Sequence, residues 1–186
     1  MARLAIADPV EIIAFWFAED VKPLWFAATP EFDEALHERF LTTYRAAADG
    51  QLREWEETSS GALALVIVLD QFPLNMFRSQ PESFVTERAA REVADRAIAH
   101  GFDQELPPEQ RQFFYLPFMH SEALTDQDRS VRLYEQPGLE DSLRYAHHHR
   151  DLIRRFGRFP HRNAILGRVS TPEELAYLAS PEAFHG

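Results

Sequence analysis

ALALVIVLDQFPLNMFR, residues 62–78, is the stretch of sequence that decides the fold. It begins with an unbroken apolar run over residues 62–69. An element that is apolar on every side must be buried on every side. Residues 66–68 (VIV) favour a strand, but no other segment has the alternation expected of a partner strand. We therefore predict a buried central helix over 62–72, ended by Pro73.

The rest of the chain has the pattern of further helices separated by proline and glycine. In residues 86–100, apolar side chains recur at helical spacing and Gly101 follows as a stop signal. Thr171 and Glu174 match a capping box before a short last helix. Other predicted helices span 9–17, 29–50 and 139–156. A further helix begins near residue 107 and is kinked or ended by Pro117. Another begins near residue 125 and is capped by residues 125–128.

Length and composition are those of one soluble domain. The chain has 186 residues, 45% of them hydrophobic, and includes 15 Phe. Such a chain buries a large aromatic core, so we predict a single all-α domain over 1–186 with about eight helices. There is no Cys, which excludes disulfides and thiolate ligands. No signal-peptide pattern and no apolar run of about 20 residues is present, so we expect a cytoplasmic protein without a membrane partner.

Charge and aromatic content limit the partners. The net charge of −11 argues against nucleic-acid binding, which needs a basic surface. Trp16, Phe17, Trp25 and Phe26 surround a loop at Pro23. This aromatic group is either core or an exposed interaction patch, and a homodimer is the partner that such a patch would serve.

A local excess of positive charge occurs in residues 150–168, RDLIRRFGRFPHRNAILGR. This segment holds six Arg and His161 but a single acid, Asp151. Phe156 and Phe159 interleave with the charges and anchor the backbone in the core. The segment is either a solvated basic face or a partly dry surface whose guanidinium groups suit carboxylate or phosphate.

Helix geometry separates three adjacent histidines. At roughly 100° per residue, Tyr145, Ala146, Ile153 and Phe156 define an apolar arc, and His149 falls within it. His147 and His148 point away and are predicted to be solvated. A buried His149 is either a core residue or part of a site.

Asp70 directly follows the apolar run, near the predicted end of the central helix. The negative end of the helix macrodipole disfavours a carboxylate there. We therefore expect a compensating cation from Arg154, Arg158 or Arg162. The resulting contact is either a buried tie between halves of the fold or part of a ligand pocket.

Polar residues at positions 120–122 follow the apolar segment FFYLPFM. His120, Glu122, His149 and His161 have the chemistry of metal ligands, but their spacing matches no metal signature. The glycine-rich phosphate loop and the G-x-S-x-G nucleophile motif are absent from the sequence. We expect no metal and no cofactor.

Three blocks resemble the signature of a known family. They are LDQFPLNMFR at 69–78, YLPFMHSE at 115–122 and HRDLIRRFGRFPHRNAILGR at 149–168. Over about residues 9–184 the chain is similar to the uncharacterised family called domain of unknown function 924. The resemblance implies a tetratricopeptide-like antiparallel helical array, and it implies no activity.

Three functions remain open on these observations, and one of them is a scaffold protein whose polar cluster only ties helices together. The first is a binding module for a small anionic ligand or an acidic peptide end, in which arginines bind oxygens and amides orient the ligand. The second is an enzyme, a hydrolase or a lyase, with His149 or His161 as general base, oriented by Glu122 or Asp70. The predicted site residues are Asp70, Asn75, Arg78, His120, Glu122, His149, Arg154, Arg158, His161, Arg162 and Asn163.

Overall fold

The computed structural model describes residues 5–184, and within this range the chain forms eight α-helices and no β-strand. They are α1 (Pro9–Trp16), α2 (Pro30–Ala48), α3 (Ser59–Met76), α4 (Glu87–Ala99), α5 (Pro108–Met119), α6 (Leu124–Tyr134), α7 (Glu140–Phe156) and α8 (Pro172–Leu178). The predicted all-α class and number of helices are confirmed. The tetratricopeptide-like arrangement stays a prediction.

The helices fall into two compact units. The first unit comprises residues 5–78 and 82–117 and contains α1 to α4 and most of α5. The second unit comprises residues 79–81 and 118–184 and contains the end of α5 with α6, α7 and α8. The single domain over residues 1–186 stays a prediction.

The centre of the first unit is α3. Every residue from 62 to 69 is buried, and α1, α2 and α4 pack against the helix. The predicted buried central helix is therefore confirmed. By length and composition alone α3 is also able to cross a membrane, but most of it is buried inside the protein. Within the described residues the chain is helical, with one buried apolar helix in its first unit.

Aromatic side chains fill the space around α3. The Phe72 ring lies 5.7 Å from that of Trp16 and 5.1 Å from that of Phe40. Of the predicted N-terminal aromatic group, Trp16 is fully buried and Trp25 lies 4.9 Å from Phe113, whereas Phe26 is 70% exposed. The group is therefore mainly core, with Phe26 at the surface.

In the second unit, α6 packs against α7, and α8 packs against the short 3-10 turn Pro160–Arg162. Leu152, Ile153, Phe159 and Tyr177 form its core cluster. The predicted capping box of α8 is present, because the Thr171 side chain accepts the Glu174 N–H and the Glu174 side chain accepts the Thr171 N–H.

The predicted start of α6 is wrong. The helix begins at Leu124, before the predicted cap at residues 125–128. The Ser121 hydroxyl accepts the N–H of Ala123 at 3.2 Å and donates to Asp126 at 2.6 Å. Polar contacts from Ser121 therefore organise the entry to α6, and residues 125–128 lie inside the helix.

The prediction that Pro73 ends the central helix is also wrong, since α3 continues to Met76. Proline has no N–H, so the carbonyl of Leu69, four residues earlier, lacks its helical donor. The Thr86 hydroxyl donates to this buried carbonyl at 2.6 Å instead. Because the helix continues, Asp70 lies more than one turn before its end, where the macrodipole has little effect.

We expect Thr86→Val to lower the free energy of unfolding by about 1–3 kcal/mol, because a buried carbonyl loses its donor. Thr86 also hydrogen-bonds the Tyr44 hydroxyl, so a double-mutant cycle is needed. Pro73→Ala restores an N–H for Leu69, and in that background the cost of Thr86→Val should be smaller. Urea unfolding of the four proteins measures both costs. An equal cost in the two backgrounds contradicts this role for Thr86.

Candidate functional site

The eleven predicted site residues divide between the two units. Asp70, Asn75 and Arg78 belong to the first unit, and His120, Glu122, His149, Arg154, Arg158, His161, Arg162 and Asn163 belong to the second. The predicted contact between Asp70 and an arginine of 150–168 stays a prediction. The two groups are chemically different, since the second contains all of the predicted histidines.

In the first unit, polar side chains connect the end of α3 to α2. Asp70 is 2% exposed and accepts a hydrogen bond from the amide of Gln71 at 2.6 Å. Asn75 accepts one from Arg78 at 3.1 Å, and Arg78 donates two to Asp33 at 2.6 and 3.1 Å. The structure thus brings Asn75 and Arg78 together, and Asp33 compensates the charge of Arg78.

In the second unit, Glu122 is the centre of a hydrogen-bonded ion pair. Arg168 donates to both of its carboxylate oxygens, at 2.7 and 2.9 Å, and the Phe159 N–H donates at 2.8 Å. Burial raises the pKa of Glu122, but the hydrogen bonds from Arg168 and Phe159 outweigh burial and lower this pKa below its usual value. Glu122 is therefore a carboxylate at neutral pH with its oxygens occupied.

A second ion pair lies beside the first. Arg158 donates to both carboxylate oxygens of Glu174, at 2.7 and 2.9 Å, and Glu174 is 2% exposed. Chiefly because of the Arg158 hydrogen bonds, the pKa of Glu174 falls to about 2. The buried Asn163 accepts a hydrogen bond from Arg168 at 2.9 Å and hydrogen-bonds Glu174. Asn163 therefore connects the two ion pairs.

Carboxylates from outside residues 150–168 compensate much of the positive charge of that segment. This holds for surface arginines as well as for Arg158 and Arg168. The additional pairs are Arg154 with Asp128 at 3.3 Å and Arg155 with Glu173 at 2.8 Å. These arginines stabilise the fold, which reduces their availability to a ligand anion.

Arg162 has a different environment. Its guanidinium is buried and lies over the Phe159 ring, 4.8 Å from the ring centre. A guanidinium is weakly hydrated and stacks well on aromatic faces, so it tolerates such a place better than an ammonium group would. Its positive charge contributes to the lowered pKa of Glu122.

His149 is buried, as helix geometry predicts, with 6% exposure. Its Nδ1 lies 2.8 Å from the Tyr145 carbonyl oxygen. A carbonyl only accepts, so Nδ1 carries the proton and Nε2 has the lone pair. Burial, assisted by the nearby His120, His148 and His161, lowers the pKa of His149 to about 3. His149 is therefore neutral at physiological pH.

Phe159 is the residue on which the predicted site residues converge. Its ring centre lies 5.5 Å from that of His149 and 5.6 Å from that of His161, and Arg162 packs on its face. Its N–H donates a hydrogen bond to Glu122, and its carbonyl oxygen accepts a hydrogen bond from Arg168 at 3.1 Å. We call Phe159 with His149, His161 and Arg162 the Phe159 cluster.

An open groove of about 410 Å³ lies in the same unit. It is lined by Arg144, Tyr145, His148, Glu182, Ala183 and Phe184. Tyr145 is 59% exposed, so its predicted place on the apolar arc is wrong: its ring lines the groove. His147 and His148 are half-buried rather than fully solvated.

Sequence reasoning missed several residues that shape this region. Arg168 ends a segment that was already recognised as basic, and Glu174 was assigned only to the capping box. Phe184 packs against His149 with ring centres 4.7 Å apart, and no periodic signal points to it. Among the residues that the structure describes, no group of three or more His, Asp and Glu is arranged to hold a metal ion, and the expectation of no metal stays a prediction.

Fold and site together define an all-helical protein with a buried histidine and arginine cluster. The chain belongs to a family described as bacterial protein of unknown function (DUF924), whose model matches residues 12–182. The resemblance of the three sequence blocks is therefore confirmed.

A solved structure supports the same assignment. The protein of unknown function ATU0120 from Agrobacterium tumefaciens is 43% identical to this chain, with a TM-score of 0.88. The similarity covers 92% of this chain and 96% of that one. No curated protein matches the chain.

We expect the stability of the protein to fall as the pH drops below 6.5, the ordinary pKa of histidine. The folded state keeps His149 neutral down to a pKa of about 3, whereas the unfolded chain binds the proton near 6.5. The contribution of His149 is therefore complete above about pH 6.5 and decreases as the pH falls toward 3. Between about pH 7 and pH 5 the loss is on the order of 2 kcal/mol, measured by urea unfolding.

His149→Gln should remove this part of the pH dependence. His100→Gln is the matched control, because His100 makes the same Nδ1 contact to the carbonyl four residues earlier, at 2.7 Å, but is exposed. Equal pH slopes for the two variants contradict the assignment.

We expect Arg168→Met to destabilise the protein by about 2–3 kcal/mol, because Glu122 loses charged donors in a partly buried place. Arg154→Met should cost less than about 1 kcal/mol, because the Arg154 pair is half-exposed. Thermal and urea unfolding of both variants compare these costs. Equal losses would show that the Glu122–Arg168 pair has no special structural role.

Proposed function

We propose that this protein is a binding module that takes a small anionic ligand, or the acidic end of a peptide, at the Phe159 cluster. The observation that carries the proposal is the convergence of His149, His161 and Arg162 on one aromatic ring. It combines a buried cation with two imidazole groups, of which His149 is neutral. The role of Asp70, Asn75 and Arg78 in ligand binding stays a prediction.

The chemistry of these groups supports an anion as ligand. Arg162 presents a planar donor group that suits the two oxygens of a carboxylate or phosphate. Its burial limits competition from water, which strengthens a charged hydrogen bond. The imidazole of His161 adds a donor whose position depends on its tautomer.

Catalysis receives less support from the same geometry. In the enzyme hypothesis Glu122 orients the histidine, but both Glu122 oxygens are bound to Arg168. The group that orients His149 is the Tyr145 carbonyl, and a base with a pKa of about 3 is weak at neutral pH. Binding therefore agrees better with the contacts of these residues.

We extend the proposal to location and partners. The absence of a signal-peptide pattern supports a cytoplasmic protein, and the net charge of −11 supports one that does not bind nucleic acid. The burial of α3 supports the absence of a membrane partner. A homodimer would use the exposed Phe26 and Val10 in the first unit. Light scattering at several protein concentrations tests the dimer.

A thermal-shift series with inorganic phosphate and citrate, at constant ionic strength, tests the binding function. At a ligand concentration about ten times Kd the stabilisation is about 1.4 kcal/mol, which raises the Tm by a few degrees for a chain of this size. We expect Arg162→Gln to abolish the shift, because it removes the buried cation.

Arg154→Gln is the control for this series, since it removes a half-exposed arginine that lies outside the Phe159 cluster. The Arg154→Gln protein should show the same increase in Tm with phosphate and citrate as the wild-type protein. His161→Ala is a second site variant in case Arg162→Gln is unstable. The proposal fails if neither anion stabilises the wild-type protein at about 10 mM, well above a useful Kd.

A further inference from the structure

The C-terminal residues of the described chain lie on the histidines of the Phe159 cluster. After α8 ends at Leu178, the chain turns, and the Phe184 ring comes within 4.7 Å of His149 and 5.1 Å of His161, centre to centre. His148 lies 6.1 Å from the same ring. These contacts are edge-on, with interplanar angles of 66°, 84° and 70°, which is a favourable aromatic geometry.

Hydrogen bonds to Tyr177 and packing on the core cluster hold this tail, residues 180–184, in place. The N–H of Phe184 donates to the Tyr177 hydroxyl at 2.8 Å. The Ala183 N–H donates to the Ser180 carbonyl, which is local to the tail. Phe184 is only half-buried, although it packs on the core cluster of the unit. The tail is thus an irregular segment held by Tyr177 and by the packing of Ala183 and Phe184.

The acidic side chain of the tail lies in the groove. Glu182 lines it together with Arg144 and His148, and Arg144 is paired with Asp141 at 2.6 Å. Two residues later the tail places an aromatic ring on a group of histidines. An acidic side chain in a groove and an aromatic anchor are features of a bound peptide segment.

We propose that His148, His149 and His161 form a receptor for the aromatic residue of an acidic peptide, and that the chain's own tail occupies this receptor in cis. The inference rests on the proposed binding function and names its ligand class: a segment with a carboxylate side chain two residues before an aromatic ring. The tail therefore acts as an internal competitor of the ligand.

Covalent attachment makes this competition strong. A tethered segment has an effective concentration in the millimolar range, so a free peptide of equal intrinsic affinity binds the intact protein poorly. Removal of the Phe184 ring should free the receptor and leave the groove residues Arg144 and His148 in place. The affinity of a free peptide is then a direct measure of how firmly the tail occupies the receptor.

The test uses a fluorescent peptide amide with the sequence of residues 180–184, SPEAF, and measures its anisotropy with the full-length protein. We expect Phe184→Ala to bind the peptide at least about tenfold more tightly than the wild type does, since the tail no longer competes. The peptide SPEAA should bind neither protein. Leu175→Ala, an exposed change on α8, is the control and should match the wild type.

Tyr177→Phe is a second test that leaves the ring of Phe184 intact. It removes the hydroxyl that holds the Phe184 N–H, so we expect peptide affinity to increase a few-fold. Circular dichroism melts show whether each variant is folded. If folded Phe184→Ala and Tyr177→Phe proteins bind SPEAF no better than the wild type does, Phe184 is a permanent core residue and the inference is wrong.

Anions added to the same variants separate the two proposals. A Tm increase with phosphate or citrate, without peptide binding to Phe184→Ala, overturns the peptide receptor and leaves the anion-binding function. The absence of both responses overturns both. Peptide binding to Phe184→Ala that also requires Arg162 supports both.

Discussion

The carboxylate of Glu122 holds the candidate site together. It accepts hydrogen bonds from the guanidinium of Arg168 and from the N–H of Phe159. Arg168 also donates a hydrogen bond to the Phe159 carbonyl. Because its main chain is fixed on both sides, the Phe159 ring has a defined position. His149 and Arg162 pack on that ring. The arrangement of the histidines and the buried cation thus depends on one ion pair between residues distant in the sequence.

The arginines of the basic segment lie in two kinds of environment. Arg158 and Arg168 each form a bidentate ion pair with a carboxylate and have a structural role. Arg162 is buried against an aromatic ring, and its charge contributes to the lowered pKa of Glu122. A protein with a net charge of −11 thus supplies enough acids to pair most of a basic segment.

The sequence correctly predicted the features that depend on local residue patterns. The all-α class, the capping box of Thr171 and the burial of His149 follow from helical spacing and cap chemistry, and the burial of α3 follows from its unbroken apolar run. It missed the pairing of Glu122 with Arg168, 46 residues apart. Several acids and arginines are equivalent by composition, and only tertiary packing selects among them. The rule that proline ends a helix failed at Pro73 because a hydroxyl from a later segment replaces the missing donor.

That replacement also constrains the order in which the first unit folds. The last turns of α3 need the Thr86 hydroxyl, which becomes available when the chain after Met76 has folded back onto the helix. Helix propagation through Pro73 is therefore coupled to the docking of the segment that leads into α4. A nascent chain that stops shortly after residue 78 lacks this partner, so we expect the last turns of its α3 to be less stable until Thr86 has docked.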